Sequence, residues 1–381
     1  MNTITLLQPP RVVFGNGCAV QCADLFAQRG ARRVLLVTSK SVRPRIDFLV
    51  AALQIANCEV IASQPVPAEP TRSFFENILR EAREENVDAV LGVGGGSALD
   101  VAKLLAALLR GQQNIAEIFG VNLLAGRELF LVCLPTTAGT GAEVSPNAVL
   151  LDEADELKKG VVSPYLVADA AFIDPLLTLS VPPAITASTG LDALVHCIEA
   201  YANKFSHPVT DAYALQGIRL ISENLLRAVE HGDDVEARAA VALGSLYGGL
   251  CLGPVNTAAV HALSYPLGGR FHIAHGVANA LLLPHVLRFN LCAAPGRYAE
   301  IAVAAGVVRN GSPEKTAGLG VEKFAALSRA CRVPQQLSEL KIPRDAIPSM
   351  ARAAMQVTRL LKNNLRPVTE ADAVQIYEAT F

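Results

Sequence analysis

The sequence predicts an N-terminal α/β domain with a doubly wound, parallel sheet, followed by an all-helical domain. Three observations carry that prediction. Short β-branched runs alternate with amphipathic helical stretches in the first half of the chain. A turn of three glycines, Gly94 to Gly96, joins one such run to a helical stretch. Beyond Asp174-Pro175 the chain becomes rich in Ala, Leu, Glu and Arg, with helical periodicity and no convincing strand. Strands that alternate with helices need crossover connections, which pair them in parallel. The chain has 381 residues, more than one core usually organises. The expected domains are therefore 1–180, α/β and of nucleotide-binding type, and 181–381, all-helical.

Four strands are expected in order: RRVLLVTS (32–39), CEVIAS (58–63), VDAVLGVGG (87–95) and ELFLVCLPTT (128–137). Between the second and third lies RSFFENILREAREEN (72–86), an amphipathic helix. After residue 180, DAYALQGIRLISENLLRAVEHG reads as a helix ended by Gly232. EARAAVALGSLYGGL and EKFAALSRACRVP read as further helices.

Composition excludes several classes. Hydrophobic residues make up 51% and charged residues 18%, with a formal net charge of −2. No basic stripe is present, so nucleic acid is not an expected partner. Mean hydropathy is high, at +0.34. Yet Lys103, Arg110, Pro284 and His285 interrupt the apolar runs VAKLLAALLR and ANALLLPHVL well short of the roughly 20 residues a membrane span needs. The start, MNTITLLQPPRVVFG, has no charged segment followed by an apolar one, so a cytoplasmic location is expected. The eight cysteines are scattered without a CxxC pair and read as buried, reduced thiols.

LGVGGGSALDVAKLLAALL is a strand, a glycine turn and a helix. Gly94, Gly95 and Gly96 let the backbone approach a ligand, and the helix opened by Ser97 presents free N–H groups to a pyrophosphate. Asp100, three residues on, can cap that helix or contact a ligand. LPTTAGTGAEVSPNAVL follows another strand and offers the hydroxyls of Thr136, Thr137 and Thr140 beside Gly139 and Gly141.

Asp192 and His196, in GLDALVHCIEAY, are four apart on one helix face. His261 and His275, in VHALSYPLGGRFHIAHG, are fourteen apart, so the fold must bring them in. One carboxylate and three imidazoles form a complete ligand set for a borderline divalent ion, Fe²⁺ or Zn²⁺.

Taken together, GGGSALDVAK, PTTAGTGAEVSPNAV, GLDALVHCIEAY and the two histidine segments resemble the iron-containing (group III) alcohol dehydrogenase family. They occur in the family's order over about residues 10 to 300. The resemblance implies a Rossmann-like N-terminal domain plus an all-α C-terminal domain, the architecture shared with dehydroquinate synthase. It implies a nicotinamide cofactor (NAD or NADP) in the cleft, usually Fe²⁺ with Zn²⁺ compatible, a small alcohol or aldehyde as substrate, and a homodimer or larger homo-oligomer. Carried over by residue, Gly96 and Ser97 meet the pyrophosphate, with Gly95 and Asp100 beside them also expected to bind the cofactor. Thr136, Thr137 and Thr140 line the cofactor. Asn147 and Val149 lie near the nicotinamide. Lys158, after the acidic turn DEADE, reaches the ribose. Asp192, His196, His261 and His275 hold the metal.

Two positions depart from the pattern. NAD-preferring relatives often carry aspartate where this chain has Ser39, followed by Lys40, which makes NADP acceptable too. Some relatives have a histidine four residues after the third ligand; this chain has Tyr265. His272 either takes over the proton relay or orients a ligand. The expected catalytic side chains are thus His272, Asp192 and His261, in a metal-dependent hydride transfer. A maleylacetate reductase, a hydroxy-acid or polyol dehydrogenase of the same superfamily, and a catalytically silent nucleotide-binding protein are the alternatives.

Overall fold

The structure, a computed structural model, describes residues 3–155 and 157–381; Glu156, at the end of the DEADE turn, lies outside the described residues. The chain forms two compact units. One comprises Leu7–Thr137 and Gly141–Leu179; the other comprises Ala138–Thr140 and Ser180–Phe381, with the stretch before Leu7.

The first unit holds the strands β1 (Arg11–Phe14), β2 (Arg33–Thr38), β3 (Glu59–Ala62), β4 (Ala89–Gly94), β5 (Gly120–Val121), β6 (Phe130–Pro135), β7 (Asn147–Asp152), β8 (Leu157–Val162) and β9 (Ala170–Ile173). Its helices are α1 (Cys22–Gln28), α2 (Asp47–Ile55), α3 (Arg72–Glu84), α4 (Gly96–Leu108) and α5 (Ile115–Ile118). Six strands form a parallel sheet in the order β1-β9-β6-β4-β2-β3. All residues of β4 and all but the first of β2 are buried, as strands covered on both faces must be. The chain runs from β2 outward to β3 and then back to β4 on the other side of β2. This is the 2-1-3 order of flavodoxin-like sheets, whose ligand crevice opens at that reversal, beyond the carboxyl ends of β2 and β4.

The four expected strands are β2, β3, β4 and β6. Sequence periodicity missed β1, β5, β7, β8 and β9. Strand β9 is four residues long, AAFI, yet it sits inside the sheet, paired to both β1 and β6. Four apolar residues carry no usable period, and only the neighbouring strands identify them. Just after β9, the Asp174 carboxylate accepts from the N–H groups of Gly17 (2.9 Å), Ala19 (3.2 Å) and Leu176 (3.0 Å). β7 and β8 pair antiparallel in a second, three-stranded sheet with β5.

The second unit is helical: α6 (Pro183–Tyr201), α7 (Pro208–Glu230), α8 (Val235–Leu252), α9 (Ala259–Phe271), α10 (His275–Asn290), α11 (Pro295–Ala304), α12 (Pro313–Ala330), α13 (Ile347–Met355), α14 (Thr358–Leu361) and α15 (Glu370–Ala379). α6 is its spine, with only Pro183, Ala184, Ile185 and Thr189 outside the buried set. α7 is the helix read from the sequence, begun by His207, whose ring accepts from Val209 N–H. That gives His207 a structural role at the start of α7. α8 is long and apolar enough to cross a membrane, a feature the run-by-run reading overlooked, but 61% of it is buried inside this unit. Seven of the eight cysteines are buried free thiols; Cys292 departs from the expectation and is exposed.

Candidate functional site

α6 carries Asp192 and His196 one turn apart, both buried. His261 lies in the first turn of α9, and His275 is the first residue of α10. His272 caps the C-terminus of α9 in the left-handed conformation (φ 55°), which reverses the chain within three residues and returns His275 toward His261. The four side chains converge. His261 Nε2 stands 3.0 Å from His196 Nε2 and 3.6 Å from Asp192 Oδ1. Asp192 Oδ1 stands 4.0 Å from His196 Nε2 and 3.8 Å from His275 Nε2. Ligand atoms of Asp192, His261 and His275 all lie within 4.8 Å of one another.

The far sides of two rings are anchored. His261 Nδ1 pairs with Glu199 Oε2 at 2.6 Å, and His196 Nδ1 with the Gly139 carbonyl at 3.2 Å. Each acceptor holds the proton on Nδ1 and turns the Nε2 lone pair toward the cluster centre. Gly139 is required for this approach: a Cβ there would stand 2.7 Å from Thr189 Cβ. Burial by itself would raise the Asp192 carboxyl, but His196, His275, His261 and the Asn279 amide outweigh it and hold it at about 2. Burial, with the neighbouring His261, depresses His196 despite the opposing pull of Asp192. The cluster therefore favours an ionised carboxylate and a neutral imidazole, the forms that bind a metal.

The donor set fits a divalent ion. Ligands about 2.1 Å from a tetrahedral centre are about 3.4 Å from each other; the His261–His196 separation and the three separations from Asp192 Oδ1, 3.0–4.0 Å, bracket that edge. Asn279, one turn along α10 from His275, gives a second indication. Its amide nitrogen faces Asp192 Oδ1 (2.6 Å), His261 Nε2 (3.2 Å) and His275 Nε2 (3.2 Å). An NH₂ group has two hydrogens for these three acceptors. Its own oxygen is buried without a hydrogen-bond partner. A cation satisfies such a ring of lone pairs more completely than an amide does.

In the sheet unit, the carboxyl ends of β2, β4 and β6 gather several expected cofactor residues. Ser39 follows β2, Gly95, Gly96 and Ser97 follow β4, and Thr136 and Thr137 follow β6. No side chain caps the N-terminus of α4, which leaves its first N–H groups to an anion. Gly94 proves to be a packing residue: a Cβ there would stand 2.7 Å from Ala98 Cβ. Asp100 neither caps α4 nor projects alone. Its Oδ2 accepts from Val149 N–H at 3.0 Å, and its Oδ1 lies 3.8 Å from Lys103 Nζ. Burial raises Asp100 to about 6 against the pull of Lys103. Lys103 is fully buried and donates to the Asn147 carbonyl at 2.6 Å, so α4 grips the first residues of β7 from two points. The side-chain oxygen of Asn147 is buried and unpartnered, a vacant acceptor suited to a cofactor amide. Lys158 pairs with Glu69 Oε2 at 2.7 Å, and Ser39 Oγ lies 3.2 Å from Ser41 Oγ.

All four expected metal ligands are brought together. Thr140 groups with the helical unit, unlike Thr136 and Thr137. His272 is exposed at the end of α9, while the Tyr265 ring meets that of His275 edge-on, with the ring centroids 6.1 Å apart. Sequence reading missed Glu199 and Asn279. Both were within reach of it: Glu199 is seven residues after Asp192, and Asn279 four after His275, so helical spacing puts each on the ligand face.

Two family models match the chain: "Iron-containing alcohol dehydrogenase" over residues 9–175 and "Fe-containing alcohol dehydrogenase family, C-terminal" over residues 186–381. Long-chain-alcohol dehydrogenase 1 of Geobacillus thermodenitrificans is 38% identical, covering 100% of this chain and 98% of its own. NAD-dependent methanol dehydrogenase of Bacillus methanolicus is 32% identical, over 97% of each chain. The crystal structure of a 1,3-propanediol oxidoreductase superposes with a TM-score of 0.96 at 34% identity, covering both chains completely.

Proposed function

This chain belongs to the iron-containing alcohol dehydrogenase family, and from that premise we propose that it moves hydride reversibly between a nicotinamide cofactor and a small alcohol or the matching aldehyde. The observation that carries the reading is the convergence of Asp192, His196, His261 and His275, with two of the rings tied back by Glu199 and Gly139. A divalent ion held there would supply Lewis acidity toward the substrate oxygen, and a bound nicotinamide would supply the hydride acceptor or donor.

The chain's own residues do the rest. Asp192 contributes the negative charge that balances the ion, and the three imidazoles bind through Nε2. Backbone N–H groups of Gly95, Gly96 and Ser97 hold the pyrophosphate at the start of α4. Asn147 Oδ1 accepts from the cofactor amide. Asp100 and Lys103 keep the Asn147 strand in register with α4. His272, exposed where α9 ends, passes the substrate proton to water.

Finer assignments follow as proposals. Fe²⁺ is the resident ion, in keeping with the family, and Zn²⁺ is compatible with the same ligands. NAD is the preferred cofactor, as in the methanol dehydrogenase relative, with NADP tolerated because Ser39 carries no charge to repel a 2′-phosphate. A homodimer fits the edge strand β1, which exposes Val12 and Phe14. The protein works in the cytoplasm. The test is removal of metal by a chelator, followed by an assay of NAD(P)-linked oxidation of short alcohols. Loss of turnover and recovery with Fe²⁺ or Zn²⁺ is expected. Full activity in verified metal-free protein overturns the reading.

A further inference from the structure

We propose that Glu199 is a positioning residue that sets the metal affinity of the site, by clamping both the ring of His261 and the helix that carries it. This rests on the metal-site reading given above. Glu199 lies on α6, buried, one turn after His196. Its carboxylate reaches three donors on the far segment. Oε2 accepts from His261 Nδ1 (2.6 Å) and from Ala258 N–H (3.0 Å), and Oε1 accepts from Val260 N–H (2.6 Å). Ala258 is the N-cap of α9, and an alanine has no side chain to satisfy the free N–H groups of a helix start. A carboxylate 59 residues earlier in the chain does it instead. Its charge also meets the positive end of the helix dipole.

The consequence is mechanical as well as electrostatic. His261 is the third residue of α9, so its Cα moves with the first turn of that helix. Glu199 fixes the height and orientation of that turn relative to α6, which carries Asp192 and His196. It also fixes the His261 ring about its own axis and holds the proton on Nδ1. One side chain therefore removes three freedoms that metal binding would otherwise have to restrict: helix position, ring rotation and tautomer. The chelate is organised before the ion arrives, and that lowers the free-energy cost of binding.

The experiment is Zn²⁺ binding to metal-free protein, measured by competition with a chromogenic chelator, for wild type, Glu199→Gln and Glu199→Ala. Glutamine keeps one acceptor oxygen but must turn an NH₂ toward one set of donors. Zn²⁺ affinity is expected to fall about 10-fold or more in Glu199→Gln and about 100-fold in Glu199→Ala. A purely structural role lowers the unfolding temperature of the metal-free protein but leaves the Zn²⁺ affinity of folded Glu199→Gln within about twofold of wild type, and that result overturns the proposal. Wild-type protein that binds neither Zn²⁺ nor Fe²⁺ overturns the functional reading instead. Should neither variant fold, ¹⁵N imidazole resonances of metal-free wild type decide. The proton of His261 is expected on Nδ1; finding it on Nε2 overturns the proposal.

Discussion

The Nε2 atoms of His196 and His261 face each other at 3.0 Å, with the two rings stacked at 22°. Because Gly139 and Glu199 hold the protons on the opposite nitrogens, two lone pairs point at one another in a buried site. Such an arrangement is unfavourable by itself and is relieved by a positive charge beside it, which a bound divalent ion would supply.

Metal loading is therefore expected to stabilise the fold. At a free ion concentration one hundred times Kd, the gain is about 2.7 kcal/mol. Differential scanning calorimetry of metal-free protein with and without Zn²⁺ checks it. An unchanged unfolding temperature at saturating ion rules it out, and His261→Ala is expected to abolish the shift.

Glu143 makes a separate prediction about pH. It is buried in the sheet unit, and burial pushes its carboxyl up to about 7 against the nearby Lys103. A carboxyl raised on folding stabilises the protein fully below its unfolded pKa of about 4.5. That contribution fades as pH rises toward the folded value of about 7. Glu143→Gln removes the penalty, so the variant is expected to gain about 2–3 kcal/mol over wild type at pH 8, and far less at pH 4. Urea unfolding at both pH values tests this; an equal difference at each contradicts it.

Lys103 holds the start of β7 through the Asn147 carbonyl and lies beside Asp100. Lys103→Met leaves that carbonyl unpaired and the carboxylate without its cation. A loss of about 3 kcal/mol in unfolding free energy is expected. The KM for the nicotinamide cofactor is expected to rise as well, since Asn147 loses its register. A stability change below about 1 kcal/mol contradicts the clamp.

Cofactor choice should turn on Ser39. An aspartate at the end of β2 accepts from a ribose hydroxyl and repels a 2′-phosphate. Ser39→Asp is expected to raise the kcat/KM ratio of NAD over NADP at least about tenfold, or roughly 1.4 kcal/mol. Steady-state kinetics with both cofactors measures it, and an unchanged ratio removes Ser39 from the cofactor site.

Legibility in the sequence followed the range of the interaction. β2, β4 and α4 were readable because a buried apolar run, a glycine turn and a helical period each occupy one stretch of chain. Asp192 and His196 were readable as a pair because four residues make one helical turn. β9 was not, since its four residues take their identity from β1 and β6. That Asp100 does not cap α4 was unreadable for the same reason: its partner, Val149 N–H, is 49 residues away.

By itself the sequence determined which residues can bind a metal or a pyrophosphate and which helix or strand end presents each. Those properties come from side-chain chemistry and from periods of 2 and 3.6 residues. Only the tertiary structure decided that His261 and His275 reach the α6 pair, that Glu199 begins α9 from 59 residues away, and that Gly139 orients His196. These contacts depend on how helices pack, and packing is settled by the summed burial of the whole core rather than by any local pattern.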